Sequence, residues 1–453
     1  MQLFLLLLHR ANHTGVKEKK NKIAFCTFGC KLNYAESSAL AADLRENGYL
    51  SVNPAEDAEI VVINTCAVTA RAEKKCKQAI HRIHKTNPGA TIIVTGCSAQ
   101  LNHTGYSSLP GVKLVLGVED KYGIINALES LPSENKTLCN IHPVGKNEKF
   151  IIAHSLGERT RSFLKIQDGC DYHCNYCTIP LARGSSRSAT IRQTMEQINR
   201  IAGKGVREII LTGVNIGDFG RRHNESLTAL IGEIIRSAPQ DIRYRLSSIE
   251  PDLLTTEMID AIAGSDVFAR HFHIPLQSAC NNTLKAMGRR YNIELFRILT
   301  DSILNKMPQC CIGIDIITGF PGETDEDFET TYSFIQTLGI GYMHVFPFSP
   351  RPGTNAWTMK NTVNSEKKEQ RSRLLLDLSE KKRNEFYMKN MNRHETVIVE
   401  SKHKDGMLTG YTGNYIKVAI PYKKELIGQI VDVHLAGVNQ KGMMIGNQIK
   451  IKR

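Results

Sequence analysis

Ser162-Phe163-Leu164-Lys165-Ile166-Gln167-Asp168-Gly169-Cys170-Asp171-Tyr172-His173-Cys174-Asn175-Tyr176-Cys177 opens as a strand and breaks into a loop carrying three thiols. Three thiolates in one such loop can hold three irons of a cubane cluster and leave the fourth iron without a protein ligand, free to bind a substrate. Structural zinc is the competing reading. A tetrahedral zinc site needs a fourth ligand, usually from a second paired motif. No second pair stands out, although His173 could serve.

Outward from this loop the chain alternates strand and helix. Downstream, Glu208–Thr212, Tyr244–Ser247, His271–Pro275, Ile312–Thr318 and Tyr342–Phe346 read as strands, the repeat of a full or partial (β/α) barrel whose site lies on its C-terminal loops. Upstream, Ile23–Phe28, Ile60–Asn64 and Thr91–Thr95 read as short buried strands. The helical stretches Tyr34–Asn47 and Ala70–Lys85 lie between them, each closed by a stop signal, Gly48 and Asn87-Pro88-Gly89. That pattern predicts a parallel sheet with its ligand site at the carboxyl ends of the strands, where Cys30, Cys66 and Cys97 stand. The polar stretch Ser133–Glu148 reads as a boundary, Asn364–Met391 as a charged connecting helix, and Thr396–Arg453 as a small β-barrel. The expected fold class is α/β: a parallel α/β domain over 21–140, a partial (β/α) barrel with its connecting helix over 155–385, and a β-barrel over 390–453.

A chain of 453 residues suits about three domains, and 41% hydrophobic with 23% charged residues is the composition of a globular protein, neither disordered nor fibrous. A net charge of +13 attracts polyanions, although many basic proteins are merely soluble. The C-terminal segment from Met391 adds ten Lys or Arg (Arg393, Lys402, Lys404, Lys417, Lys423, Lys424, Lys441, Lys450, Lys452, Arg453) against five acids, with Tyr411, Tyr415 and Tyr422 interleaved. Those side chains offer phosphate contacts and stacking faces, or else a solvated barrel surface. The run Leu3–Leu8 is short for a signal sequence and far too short to span a bilayer, so residues 1–20 are read as a disordered extension or a misplaced start. A cytoplasmic protein with no membrane partner is expected. Its twelve cysteines are then metal ligands, catalysts or core residues rather than disulfides.

The Cys170–Cys177 loop, with an aromatic residue before its last cysteine, resembles the radical S-adenosylmethionine (SAM) superfamily. The resemblance implies that the open iron chelates SAM, whose one-electron cleavage yields methionine and a 5′-deoxyadenosyl radical, with Tyr176 beside the adenine. Phe28-Gly29-Cys30-Lys31-Leu32-Asn33, Asn64-Thr65-Cys66 and Thr95-Gly96-Cys97, together with the C-terminal β module, resemble the methylthiotransferases across nearly the whole chain after residue 20. That likeness implies two [4Fe–4S] clusters, a catalytic one on Cys170, Cys174 and Cys177 and a second, sulfur-carrying one on Cys30, Cys66 and Cys97. Without it, buried packing residues remain an alternative reading of the second trio. Thr212-Gly213-Val214-Asn215, Ser247-Ser248-Ile249-Glu250-Pro251, His273–Ser278 and Asp315–Glu323 match family segments around SAM and substrate, which makes Gly213, Asn215, Ser247, Glu250 and Gln277 expected cofactor contacts. Taken singly, each is a barrel turn or a core residue. Cys26, Cys76, Cys139, Cys280, Cys310 and Cys311 default to buried structural thiols.

The C-terminal module resembles the TRAM domain, an RNA-binding barrel, and the implied partners are a tRNA anticodon stem-loop and a reducing electron donor such as flavodoxin or ferredoxin. By the same likeness, hydrogen is removed from C2 of an N6-modified adenosine, the carbon takes sulfur from the second cluster, and a second SAM methylates that sulfur. Cys177–Gly184 and Ser349–Thr354 look most like the branch that acts on N6-threonylcarbamoyladenosine beside the anticodon. An isopentenyladenosine enzyme, a ribosomal-protein aspartate methylthiotransferase and a metal-stabilised RNA-binding protein are the alternatives. Threonylcarbamoyl carries a carboxylate, for which a bidentate arginine is suited, and Arg183, Arg187, Arg245 and Arg351 are the candidates.

Overall fold

A computed structural model describes residues 4–5, 21–54, 57–131, 136–144, 150–156, 160–402 and 406–452. The reading of residues 1–20 therefore falls outside the described residues, apart from Phe4–Leu5, as does much of Ser133–Glu148. Two compact units form, one of Met1–Glu158, Phe163–Arg187 and Ser349–Trp357, the other of Arg159–Ser162, Ser188–Phe348 and Thr358–Arg453. The Cys170–Cys177 loop groups with the N-terminal unit.

In the first unit, β1 (Lys22–Thr27), β2 (Ile60–Thr65), β3 (Thr91–Gly96), β4 (Val112–Leu116) and β5 (Leu138–Asn140) lie side by side in chain order, all parallel, with Phe4–Leu5 antiparallel on the outer side of β1. Their register sets Ile23 against Ile60, Ile60 against Thr91, and Leu114 against Leu138. Every residue of β2 is buried, as expected of a central strand covered on both faces. Helices α1 (Lys31–Glu46) and α2 (Ala70–Thr86) connect the first strands. The Thr69 hydroxyl caps α2 by accepting from Ala72 N, and His84 and Lys85 sit favourably in its last turn. Short α3 (Cys97–Leu101) comes directly after β3.

The second unit holds two runs of parallel strands. β6 (Glu208–Thr212) pairs with β7 (Arg243–Leu246), and β8 (His271–His273), β9 (Cys311–Thr318) and β10 (Tyr342–Pro347) pair in order. Single bridges, Tyr244 to Phe268 and Ser248 to His273, relate the two runs. Amphipathic helices such as Leu227–Ser237, Thr256–Ala263 and Ile293–Lys306 bury Ile, Leu and Phe faces between these strands. The 25-residue helix α4 (Ser365–Lys389) leads to a closed five-stranded barrel spanning His394–Ile451, whose core contains Val397, Leu408, Val418, Val431 and Met444. The fold is α/β with a C-terminal β-barrel, as the alternation of the sequence predicts.

Candidate functional site

At the carboxyl edge of the first unit's sheet, each of three successive strands delivers one cysteine. Cys30 is the N-cap of α1, Cys66 comes just after β2, and Cys97 opens α3. The glycine of Phe28-Gly29-Cys30 has φ +104°, and a β-carbon there would lie 2.9 Å from Cys66 Cβ. Only glycine lets the two loops approach this closely. Asn33 ties them by donating to Phe28 O and Thr65 O at 2.9 Å each. Burial pushes the Cys66 thiol well up, and the nearby Cys30 and Cys97 sulfurs push it further. Thiols so disfavoured as free thiolates ionise when they bind a metal, which supplies the compensating charge.

The second trio lies in the same unit. Cys170 N donates to Gly184 O at 3.0 Å and Cys177 N to Cys174 O at 3.0 Å, which close the loop on itself. Backbone N–H groups of Tyr172 and Ile179 reach the sulfurs of Cys170 and Cys177 at 3.4 and 3.5 Å. Such donors favour sulfur in its anionic form. Cys174 is buried, Cys170 and Cys177 are half-buried, Tyr176 is half-buried and His173 is exposed. A cavity of about 390 Å³ lies beside the loop, lined by residues that include Cys170, His173 and Gly184. Cys97 packs against Ala67 and Ala182, and Ala182 stands in the short helix Ile179–Arg183 just after Cys177, so the two cysteine segments are neighbours.

Beneath them is a buried charge network that sequence reasoning missed. Arg183 donates to Cys97 Sγ (3.1 Å), Glu36 (3.1 Å to each oxygen), Asp168 Oδ1 (2.9 Å) and Asn33 Oδ1 (2.7 Å). Lys165 reaches Glu36, Asp168 and the Tyr122 hydroxyl, and Lys121 also pairs with Glu36. Burial alone would raise the Glu36 carboxyl, but Arg183, Lys121 and Lys165 hold it well below the usual carboxylate range. The one signal in the sequence is Lys165, a lysine inside the strand that leads to the cysteine loop.

The expected SAM contacts lie in the second unit, at the carboxyl ends of its strands. Gly213 and Asn215 come after β6, and Asn215 Nδ2 donates to Asp218 Oδ2 at 3.1 Å. Ser247 comes after β7, its buried hydroxyl without a hydrogen-bond partner among the described residues. Gln277 has φ +62°, a conformation a residue with a side chain holds only under constraint. Its N–H donates to Asp315 O at 2.7 Å and its carbonyl accepts from Ile317 N at 2.9 Å. Glu250 pairs with Arg289, yet burial outweighs that pairing and raises its carboxyl to about 7. An unclaimed hydroxyl and a left-handed backbone residue thus stand at the ends of these strands.

Beside these, His273, Asp315 and His344 bring one ligand atom each within 4.8 Å of one another and could hold a metal ion. His273 shares a hydrogen bond of 2.6 Å with Ser248 through Nδ1 and faces Asp315 at 3.1 Å through Nε2. Sequence reasoning singles out none of the three as a ligand, although His271/His273 and Tyr342/His344 show the alternation of one strand face.

The arginines suggested for a carboxylate are largely committed elsewhere. Arg183 serves the network above; Arg187 pairs with Glu119 and Asp168; Arg245 pairs with Glu208 and donates to the carbonyls of Thr412 and Gly413. Arg351 donates to Glu73 at 2.8 Å but keeps a buried Nε without a partner among the described residues. Of the remaining cysteines, Cys76, Cys280, Cys310 and Cys311 are buried as expected, whereas Cys139 is exposed and Cys26 half-buried.

Three family models match the chain: Uncharacterized protein family UPF0004 over 22–117, the Radical SAM superfamily over 164–335, and the TRAM domain over 390–441. The chain is 34% identical over 420 residues to a protein of Bacillus subtilis named threonylcarbamoyladenosine tRNA methylthiotransferase, covering 91% of this chain and 93% of that one. A protein of the same name from Thermotoga maritima is 36% identical, with 92% and 95% covered. A tRNA-2-methylthio-N(6)-dimethylallyladenosine synthase of Desulfotalea psychrophila is 30% identical, with 92% and 96% covered. Among solved structures, the radical SAM methyltransferase TsrM of Kitasatospora setae shares the fold at a TM-score of 0.51 and 14% identity, with 75% and 77% covered. No helix among the described residues is long and apolar enough to cross a membrane. With cysteine-bearing strand ends and all three domain types in one order, the chain belongs to the methylthiotransferase family of radical SAM enzymes.

Proposed function

We propose that this enzyme adds a methylthio group to C2 of N6-threonylcarbamoyladenosine beside the anticodon of tRNA, in the cytoplasm, using SAM, two [4Fe–4S] clusters and a small reducing protein as electron donor. The observation that carries the reading is the packing of both cysteine segments in one unit, through Cys97 and Ala182. When bound, the group on Cys170, Cys174 and Cys177 supplies one-electron cleavage of SAM, and the group on Cys30, Cys66 and Cys97 supplies sulfur. The chain's own residues do the rest. N–H donors of Tyr172 and Ile179 steady two ligand sulfurs. Within the second unit, the Ser247 hydroxyl, without a partner among the described residues, and the fixed Gln277 backbone offer polar groups to a ligand. Exposed Lys423 and Lys424 of the C-terminal barrel meet tRNA phosphates.

The choice of nucleoside rests on the threonylcarbamoyl relatives at 34–36% identity. The dimethylallyl relatives at 30% support the second reading, a neutral apolar N6 group. Arg351 separates the two, because its unused donor suits a carboxylate and does nothing for an isopentenyl chain. Arg351→Gln is expected to lower kcat/KM about tenfold or more on threonylcarbamoyl tRNA, roughly 1.4 kcal/mol. Steady-state kinetics on isopentenyl tRNA should show no such change. Equal losses on both substrates would contradict this specificity.

A further inference from the structure

Arginine has five N–H donors, and Arg183, fully buried, directs its three nitrogens at five acceptors. Four are oxygens: two on Glu36, one on Asp168 and one on Asn33. The fifth, facing Nε at 3.1 Å, is Cys97 Sγ. A neutral thiol is a weak acceptor, whereas a thiolate or a metal-bound sulfur accepts strongly from a guanidinium. The charges agree. At full ionisation the buried Arg183, Lys121 and Lys165 face two carboxylates, Glu36 and Asp168, which leaves one positive charge for sulfur to balance. At the edge, Arg187 and Glu119 offset each other.

We infer that Arg183 is a positioning residue that sets the reduction potential of the iron–sulfur cluster held by Cys30, Cys66 and Cys97, through its N–H to Cys97 Sγ. This deepens the proposed function and rests on its second cluster. Hydrogen bonds to ligand sulfur and nearby positive charge stabilise the more negative, reduced cluster and so raise its potential. An electron reaching this unit is then held more readily at the sulfur-carrying cluster. Cys30 and Cys66 receive no guanidinium bond among the described residues, so the effect acts on one ligand of three.

The test is an anaerobic redox titration monitored by electron paramagnetic resonance, made on full-length protein carrying Cys170→Ala, Cys174→Ala and Cys177→Ala, which leaves one cluster signal. Removing Arg183 alone strands Glu36 and Asp168, so two variants are read. Arg183→Lys keeps the charge and loses the directed bond. Arg183→Gln with Glu36→Gln removes one cation and one anion together. The midpoint is expected to fall in both. In the paired variant the reduced-to-oxidised ratio at fixed poise falls about tenfold, equal to about 59 mV for one electron. An unchanged midpoint overturns the inference. Loss of the cluster from both variants with the melting temperature retained also overturns it, since Arg183 would then hold the ligand loop and leave the potential alone. Absence of any cluster signal before Arg183 is touched would instead sink the second cluster itself.

Discussion

Gly169, between the short strand Gln167–Asp168 and the first cysteine of the loop, has φ +72°, and a β-carbon there would lie 2.1 Å from the Ser185 carbonyl oxygen. Neither the dihedral nor the space admits a side chain, and backbone cannot yield as a flexible side chain does. Gly169→Ala should therefore cost about 1–3 kcal/mol and displace Cys170. Thermal melting and iron content after anaerobic reconstitution would both fall; full iron loading at the parent melting temperature would contradict this account of the loop. Cys170, Cys174 and Cys177 are legible in the sequence as ligands in one loop, with zinc as the competitor to a cluster, whereas Cys30, Cys66 and Cys97 stand out as ligands only once the family resemblance is added. Arg183 is legible as an arginine but not as a partner of Cys97 rather than of substrate, since Glu36 and Asn33 lie about 150 residues away and no local pattern points to them.

Among the elements, β6 and β7 are locked by one carboxylate. Glu208, fully buried on β6, takes two bonds from Arg245 of β7 and also faces Arg243 and Arg161, while Arg245 continues to the Thr412 and Gly413 carbonyls of the C-terminal barrel. Burial pushes the Glu208 carboxyl up, but the three guanidinium groups outweigh it and hold the carboxyl at about 2, below its ordinary 4.5. A depressed carboxylate stabilises the fold above its ordinary value, and that contribution is lost as pH falls through the lowered one. Glu208→Gln should cost about 3–5 kcal/mol near neutrality by leaving buried guanidinium groups unpaired. Denaturant titrations at falling pH should also show a smaller acid-induced loss than in the parent; parallel pH curves for the two proteins would contradict the assignment. Strand existence is easy to read here, since Glu208–Thr212 is an apolar run bounded by turn residues. Val112–Leu116 and Leu138–Asn140 escape such a reading: the second is three residues long and lies in a polar stretch, where only its pairing to Leu114–Leu116 makes it a strand.

At the scale of the whole molecule, the net charge of +13 and the exposed lysines of the C-terminal barrel predict salt-dependent tRNA binding. Lys423→Ala with Lys424→Ala should weaken binding and reduce the slope of log K against log salt by roughly 0.7–0.9 for each phosphate no longer neutralised. Filter binding over a salt series gives that slope, and an unchanged slope would place the RNA elsewhere. The α/β alternation, the basic barrel and both cysteine trios are all visible in sequence, whereas the grouping of the Cys170–Cys177 loop with the N-terminal sheet is not, because it depends on contacts between distant segments. Methylthiolation of the threonylcarbamoyl nucleoside is tested most directly by mass spectrometry of nucleosides from tRNA incubated anaerobically with reconstituted enzyme, SAM and dithionite. Threonylcarbamoyladenosine is expected to gain one methylthio group in place of one hydrogen, with 5′-deoxyadenosine and S-adenosylhomocysteine formed alongside. Unaltered threonylcarbamoyladenosine from fully iron-loaded enzyme, or methylthio appearing on isopentenyladenosine instead, would contradict it.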